Sequence, residues 1–322
     1  MKKIPLLQQV RDACRQVSEQ AQWVSIDRER LQNYAACLPL AGALYPQIDP
    51  ARHYLGHGAD TVAFFLTLDA INFGSGYFLD LGLDPRQSGY FMVAAALTER
   101  FRRHGPFSAE QLGRLTADDC LLLFGLDSGK PAAMELMGRF GAALNQLGRY
   151  LQEHFHGSFT ALVEAAEGRA GHLVELLAGM PLFQDEARYR GLQVPFYKRA
   201  QLTVADLAIA FAGRDWGSFV DLDELTLFAD NLVPHVLRHD GVLVYRQALA
   251  ARIEAGQLLQ ASSEEEIELR ACAVHAVELL VAELRRQGHV VNAMGLDQLL
   301  WNRGQQPEYR RRPRHRTRSP YY

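Results

Sequence analysis

Residues 263–288 read SEEEIELRACAVHAVELLVAELRRQG and carry a helical period from end to end. Ser263, followed three residues later by Glu266, is a capping box: hydroxyl and carboxylate each satisfy a main-chain N–H that a helix start leaves open. Ile267, Val274, Val277, Val281 and Leu284 then recur on one face. Arg285 and Arg286 suit the negative end of the helix dipole, and Gly288 closes the helix. Arg270 lies one turn past Ile267 and one turn before Val274, on the apolar stripe. A guanidinium there requires a carboxylate partner or a ligand, and a structural ion pair is the plainer reading.

The same periodicity extends outward. Met137, Phe140, Leu144, Leu147 and Leu151 form one stripe on a helix running to about His154. Ser88 to Arg103 reads as a helix stopped by Gly105-Pro106, and Phe159 to Leu177 as another, ended by Gly179 and Pro181. Strand signal is scarce; Arg188 to Phe196 (RYRGLQVPF) reads as a small hairpin around Gly191. The expected fold class is mainly α, two helical lobes with at most a small β-hairpin. Residues 1–302 read as a single catalytic unit. Residues 303–322, with Arg310, Arg311, Arg312, Arg314, Arg316 and Arg318 before Tyr321-Tyr322, read as a solvated basic C-terminal tail, a phosphate- or RNA-binding arm being the alternative.

Composition narrows the class. Of 322 residues 48% are apolar and 22% charged, as in a protein with an ordinary core. A net charge of −3 gives no general drive toward DNA or anionic membrane. Cys14, Cys37, Cys120 and Cys272 lie far apart, as reduced thiols do. The start, MKKIPLLQQVRDAC, has too short an apolar run for a signal peptide, and Val62–Phe73, the most apolar stretch, is too short to span a membrane. The expectation is a cytoplasmic protein without membrane contact.

One segment stands out chemically: Glu224–His235, ELTLFADNLVPH. Asp230 interrupts an apolar run, and Pro234 removes the N–H that Asp230's carbonyl would accept in a continuing helix. The pattern predicts a helix that breaks just past a carboxylate, with Phe228 as a pocket wall; a buried helix with a locally capped Asp is the plainer alternative. Asp69 and Asn72 (LDAINFGSG, 68–76) share a helix face before a glycine-rich break that could admit a flat ligand. Lys198 and Arg199 sit where the hairpin enters a helix, a place that favours phosphate, although a solvated pair is commoner. Asp297 and Trp301 are i and i+4, flanked by Asn302, a grouping able to hold a heteroaromatic ring or simply to pack an indole. His53 and His57 are spaced as a metal pair but lack a third ligand, so no metal and no cofactor are expected.

Together LDAINF (68–73), SGYF (88–91), FYKRAQLTVAD (196–206), LTLFAD with VPHVL (225–237), EEIELRACAVHAVEL (265–279), LDQLLW (296–301) and the closing HRTRSPYY resemble the queuosine salvage proteins, the queuosine 5′-phosphate N-glycosylase/hydrolase family. The resemblance runs in order from about residue 60 to the end. It implies a helical fold similar to that of DNA glycosylases. It also implies release of queuine, a 7-deazaguanine base, from queuosine 5′-monophosphate for salvage into tRNA modification. By resemblance Asp230 is catalytic, and Phe228, Asp297 and Trp301 line the base pocket. Asn231, Leu232, His235 and Asn302 depart from the family pattern, which bears on substrate detail more than on reaction type.

The chemistry suits these residues. Cleaving an N-ribosyl bond builds positive charge on the sugar, which a fixed carboxylate stabilises. A 7-deazapurine lacks N7, so the base must leave by spreading negative charge through hydrogen bonds at its edge. Asp297 is the candidate for the base or its amine arm, with Asp69, Asn72 and Asn302 as further base contacts. Lys198, with Arg199, is the candidate for the 5′-phosphate, and Lys198 could alternatively hold Asp230 ionised. The expected partner is the nucleotide alone, with neither DNA nor direct tRNA binding. The alternatives are a non-catalytic RNA- or nucleotide-binding protein, and a glycosylase acting on another 7-deazaguanine nucleotide.

Overall fold

A computed structural model describes residues 4–40, 47–82 and 88–322. Met1–Lys3 of the N-terminal stretch, with its two lysines, lie outside the described residues. The chain is mainly helical with two small two-stranded sheets, and it divides into two compact units.

The first unit draws on residues 1–46, 185–198 and 221–318. Its central element is the helix Glu264–Arg286, whose apolar stripe is buried from Ile267 to Leu284. Ser263 caps it, its Oγ accepting from the Glu266 N–H at 3.3 Å. The reciprocal half of the capping box is displaced by one residue, because the Glu266 carboxylate accepts from Ser262 N rather than from Ser263. Helix Leu6–Gln20 packs along it through Val10, Cys14 and Val17.

Strands β1 (Val24–Ile26), β2 (Glu186–Tyr189), β3 (Leu192–Pro195) and β4 (Leu243–Tyr245) form two antiparallel pairs. The β2–β3 hairpin is the one expected around Gly191: Arg190 and Gly191 both have positive φ, 48° and 89°, as a two-residue hairpin turn requires. The β1–β4 pair corrects the expectation of a single hairpin. At three residues each, its strands are too short to show alternation, and their partners are remote in sequence. Glu268 anchors the approach to β1. Its Oε2 accepts the N–H groups of Gln22, Trp23 and Val24 at 2.9, 2.6 and 3.1 Å, and Oε1 accepts the Tyr189 hydroxyl at 2.9 Å.

The second unit comprises residues 47–184, 199–220 and 319–322. Its core is aromatic, with Phe64, Phe65, Phe101 and Phe140 buried on the helices Ala59–Ala70, Gly89–His104 and Pro131–Phe155. Gly148 lies where the last of these meets Ala109–Leu112. A Cβ there would stand 2.4 Å from the Ala109 carbonyl oxygen and 2.5 Å from Gly113 N. The single helix expected over 159–177 is two, Phe159–Glu164 and Ala170–Leu177. Glu167 and Gly168 between them take left-handed φ values of 53° and 69°, which breaks the helical hydrogen-bond ladder.

The C-terminal segment is not a solvated tail. Tyr309, His315, Thr317, Ser319 and Tyr322 are buried despite the arginines between them. Composition registered the charges, whereas burial follows the residues that alternate with them. No helix among the described residues is long and apolar enough to cross a membrane.

Candidate active site

Residues 225–230 form neither helix nor strand; they run almost wholly buried toward a short helix, Val233–His239. This corrects the helix-then-break expectation. Pro234 opens a helix here rather than ending one, because the first turn has no use for the N–H that proline lacks. Buried backbone outside helix and sheet must find other partners for its polar groups. Side chains supply them. Arg11 donates to the Glu224 carbonyl at 2.7 Å, Asp297 Oδ1 accepts the Phe228 N–H at 3.2 Å, and Arg270 Nε donates to the Ala229 carbonyl at 3.0 Å. Asp230 ends the run, its Oδ1 accepting from Leu232 N at 2.8 Å and Val233 N at 3.1 Å.

Arg270 resolves in favour of the structural reading. Its guanidinium is clasped by both oxygens of buried Asp185 at 3.0 and 2.5 Å, and it lies 3.9 Å over the Phe196 ring. Asp185 also accepts from Lys198 N at 3.2 Å, and its carbonyl accepts from Phe196 N at 2.8 Å. One buried ion pair thus fixes the hairpin exit, the start of helix Lys198–Ala210 and the residue before Asp230. The sequence signalled the need for a carboxylate at Arg270 but not that Asp185 would meet it.

The structure brings Asp230, Asp297, Lys198 and Phe228 together. Asp297, on the helix Ala293–Gly304, is buried, and burial first, then the charge of Asp230, pushes its carboxyl well above the usual carboxylate range. The Phe228 N–H and the ammonium of Lys198, also buried, oppose that rise. Asp230 and Asp297 share a feature: each commits Oδ1 to main-chain N–H groups, while among the described residues Oδ2 has no hydrogen-bond partner. Trp301 is half-buried one turn beyond Asp297. Asn302 is exposed, about 140° round the helix from Asp297.

The remaining candidates belong to the second unit. Asp69 is buried in the last turn of Ala59–Ala70, and Asn72 Nδ2 donates to its Oδ1 at 3.3 Å. Arg199, expected beside a phosphate, donates instead to the carbonyls of Ala70 and Leu182 and lies between the rings of Phe73 and Phe183. His53 uses both ring nitrogens, Nδ1 donating to the Asp49 carbonyl and Nε2 accepting from the Tyr90 hydroxyl, both at 2.8 Å.

Three residues around Asp230 meet the C-terminal segment. Asn231 Nδ2 donates to the His315 carbonyl at 3.1 Å, and His235 Nε2 donates to that of Tyr309 at 2.9 Å. Leu232 lies against Gly304, where a Cβ would come within 2.7 Å of its Cγ.

The sequence profile described as "Queuosine salvage protein" matches residues 52–322. The chain is 37% identical over 314 residues, 96% of each sequence, to the queuosine 5′-phosphate N-glycosylase/hydrolase of Sphaerobacter thermophilus. It is 31% identical to the protein of that description from Mus musculus, over 97% of this chain and 98% of the relative. Over 67% of this chain and 66% of the relative, it is 36% identical to the one from Dictyostelium discoideum. By the reach of that profile and by likeness along nearly its whole length, the chain belongs to the queuosine salvage protein family.

Proposed function

We infer that this protein hydrolyses the N-glycosidic bond of queuosine 5′-phosphate and releases queuine, a base then available for tRNA modification. The near full-length similarity to queuosine 5′-phosphate N-glycosylase/hydrolases carries this reading. The two adjacent carboxyl groups supply its chemistry.

Breaking the C1′–N9 bond leaves its electron pair on the base and positive charge on the sugar; water supplies hydroxide to C1′ and a proton to the base. Asp230, held by two N–H donors, serves as the fixed anion beneath the sugar and orients the water. Burial and the charge of Asp230 favour the neutral form of Asp297, which suits its carboxyl to donate a hydrogen bond to the base edge as negative charge develops there. Two carboxyls of one kind are thereby driven to opposite roles. Phe228 and Trp301 are assigned to the base, and Lys198 to the electrostatic balance of the acid pair. Roles for Asp69, Asn72 and Asn302 at the base, and likeness to the two-lobed DNA glycosylase fold, belong to the same proposal.

The test is mass-spectrometric detection of free queuine after incubation of the purified protein with queuosine 5′-phosphate, beside Asp230→Ala and a no-enzyme control. Release by the wild type that is lost in Asp230→Ala is expected. Release persisting in the variant would remove Asp230 from the mechanism. Release only from another 7-deazaguanine nucleotide would move the substrate and keep the reaction, and release from none would favour a non-catalytic binding role.

A further inference from the structure

We propose that Arg314, the residue immediately before the C-terminal HRTR run (315–318), grips the 5′-phosphate of the nucleotide and makes the protein select nucleotide over nucleoside. The proposal rests on the reading of the substrate as a nucleoside phosphate.

The position of Arg314 is fixed at several points. The His315 carbonyl accepts from Asn231, the neighbour of Asp230. The Arg316 carbonyl accepts from Leu259 N at 2.8 Å, and the Tyr309 carbonyl is held by His235. The first of these bonds brings the His315 main chain, next to Arg314, within side-chain reach of Asn231, next to Asp230. The main chain on either side of Arg314 is therefore anchored.

Its partners are telling. Among the described residues Arg314 makes no hydrogen bond and no ion pair, although it is half-buried and burial disfavours its charge. The charges that reach it are Asp230, which favours the cation, and Arg310, which opposes it. A guanidinium has five donors in a planar fork that matches phosphate oxygens, and withdrawing it from water without an acceptor is costly. Arg270, the buried arginine of the same unit, is by contrast closed by Asp185. If Asp230 lies beneath C1′, the 5′ arm of the same ribose has to end a few bonds away. Arg314 offers open donors within electrostatic reach of that carboxylate, a second anchor for one small sugar.

The experiment has two arms, each applied to the wild type, Arg314→Met, Arg314→Lys and the exposed control Arg311→Met. In the first, inorganic phosphate is titrated while thermal unfolding is followed. Phosphate should raise the midpoint of the wild type and Arg311→Met, raise that of Arg314→Lys less, and leave Arg314→Met unmoved. A shift equal in wild type and Arg314→Met, or absent from both, overturns the assignment. In the second, queuine release is compared for queuosine 5′-phosphate and queuosine. Arg314→Met should raise KM for the nucleotide by about tenfold to a hundredfold, the loss of one charge-assisted contact, and leave the nucleoside reaction unchanged. An equal loss on both substrates overturns the proposal. A wild type inert on both would sink the hydrolase reading, and the phosphate titration would still decide for or against Arg314. Arg314→Lys, which keeps the cation, guards against a variant that fails only because it misfolds.

Discussion

Arg270 and Arg314 are both arginines drawn into the same unit, and the protein treats them in opposite ways. Arg270 has an acceptor at every turn: both oxygens of Asp185 and the Ala229 carbonyl, with the Phe196 ring beneath. Arg314 has none within hydrogen-bonding distance among the described residues. The carboxylates divide likewise. Glu268 uses both oxygens on main-chain N–H groups and Tyr189, whereas Asp230 and Asp297 each anchor one oxygen and leave the other open. Closed charges hold the backbone; half-open ones are positioned to act on something else.

That contrast predicts which substitutions cost activity and which cost stability. Asp230→Asn should lower kcat for queuine release by about 10³-fold, the scale of losing a fixed charge in a transition state, with little change in the unfolding midpoint. A midpoint that fell as far as the rate would erase the distinction. Arg270→Met should do the reverse in kind. It strands Asp185, and urea unfolding should report a loss of about 3–5 kcal/mol. Because Arg270 also fixes the residue before Asp230, its surviving folded fraction should turn over slowly as well; full activity in that fraction would break the link between pair and site.

Gly148→Ala tests packing in the second unit. In an exposed helix the change would add about 0.5–1 kcal/mol of stability. Here the added carbon meets main-chain atoms of Ala109 and Gly113, so the expected result is a loss of about 1–3 kcal/mol by chemical denaturation.

At neutral pH the smallest effect concerns His235, whose pKa burial pushes down to about 3 from its ordinary 6.5, so that its contribution shows only in acid. It stays neutral in the folded protein while the unfolded chain takes up its proton. Its contribution is therefore complete above about pH 6.5 and is lost as pH falls toward 3, by up to about 1.4 kcal/mol per pH unit. His235→Gln should flatten that acid limb in unfolding experiments and leave stability above pH 7 nearly unchanged. A limb as steep as that of the wild type would show that other groups carry it.

Much of the scaffold was legible because helical period is a local property. The Ser263 cap, the stripe from Ile267 to Leu284 and the hairpin at Gly191 each follow from neighbours within a turn or two. What failed was also local reading. The apolar run of 225–229 matches a buried helix as well as a buried irregular segment, and its true state depends on Asp297 and Arg270 reaching its backbone from elsewhere in the chain. Likewise the arginines of the last twenty residues gave the composition of a solvated tail, although Tyr309, His315 and Thr317 between them are buried.

The sequence by itself determined the helical class, the family resemblance, and Asp230, Asp297, Phe228 and Lys198 as candidates, since these rest on residue identity and short-range order. Tertiary structure decided that Asp185 closes Arg270, that Arg199 donates to carbonyls, that burial and Asp230 push the Asp297 carboxyl above the usual carboxylate range, and that Arg314 makes no hydrogen bond among the described residues. The physical reason is desolvation. Whether a charge braces the fold or remains open to a ligand depends on which acceptors and donors burial leaves within about 3 Å of it, and folding brings those together from distant parts of the chain.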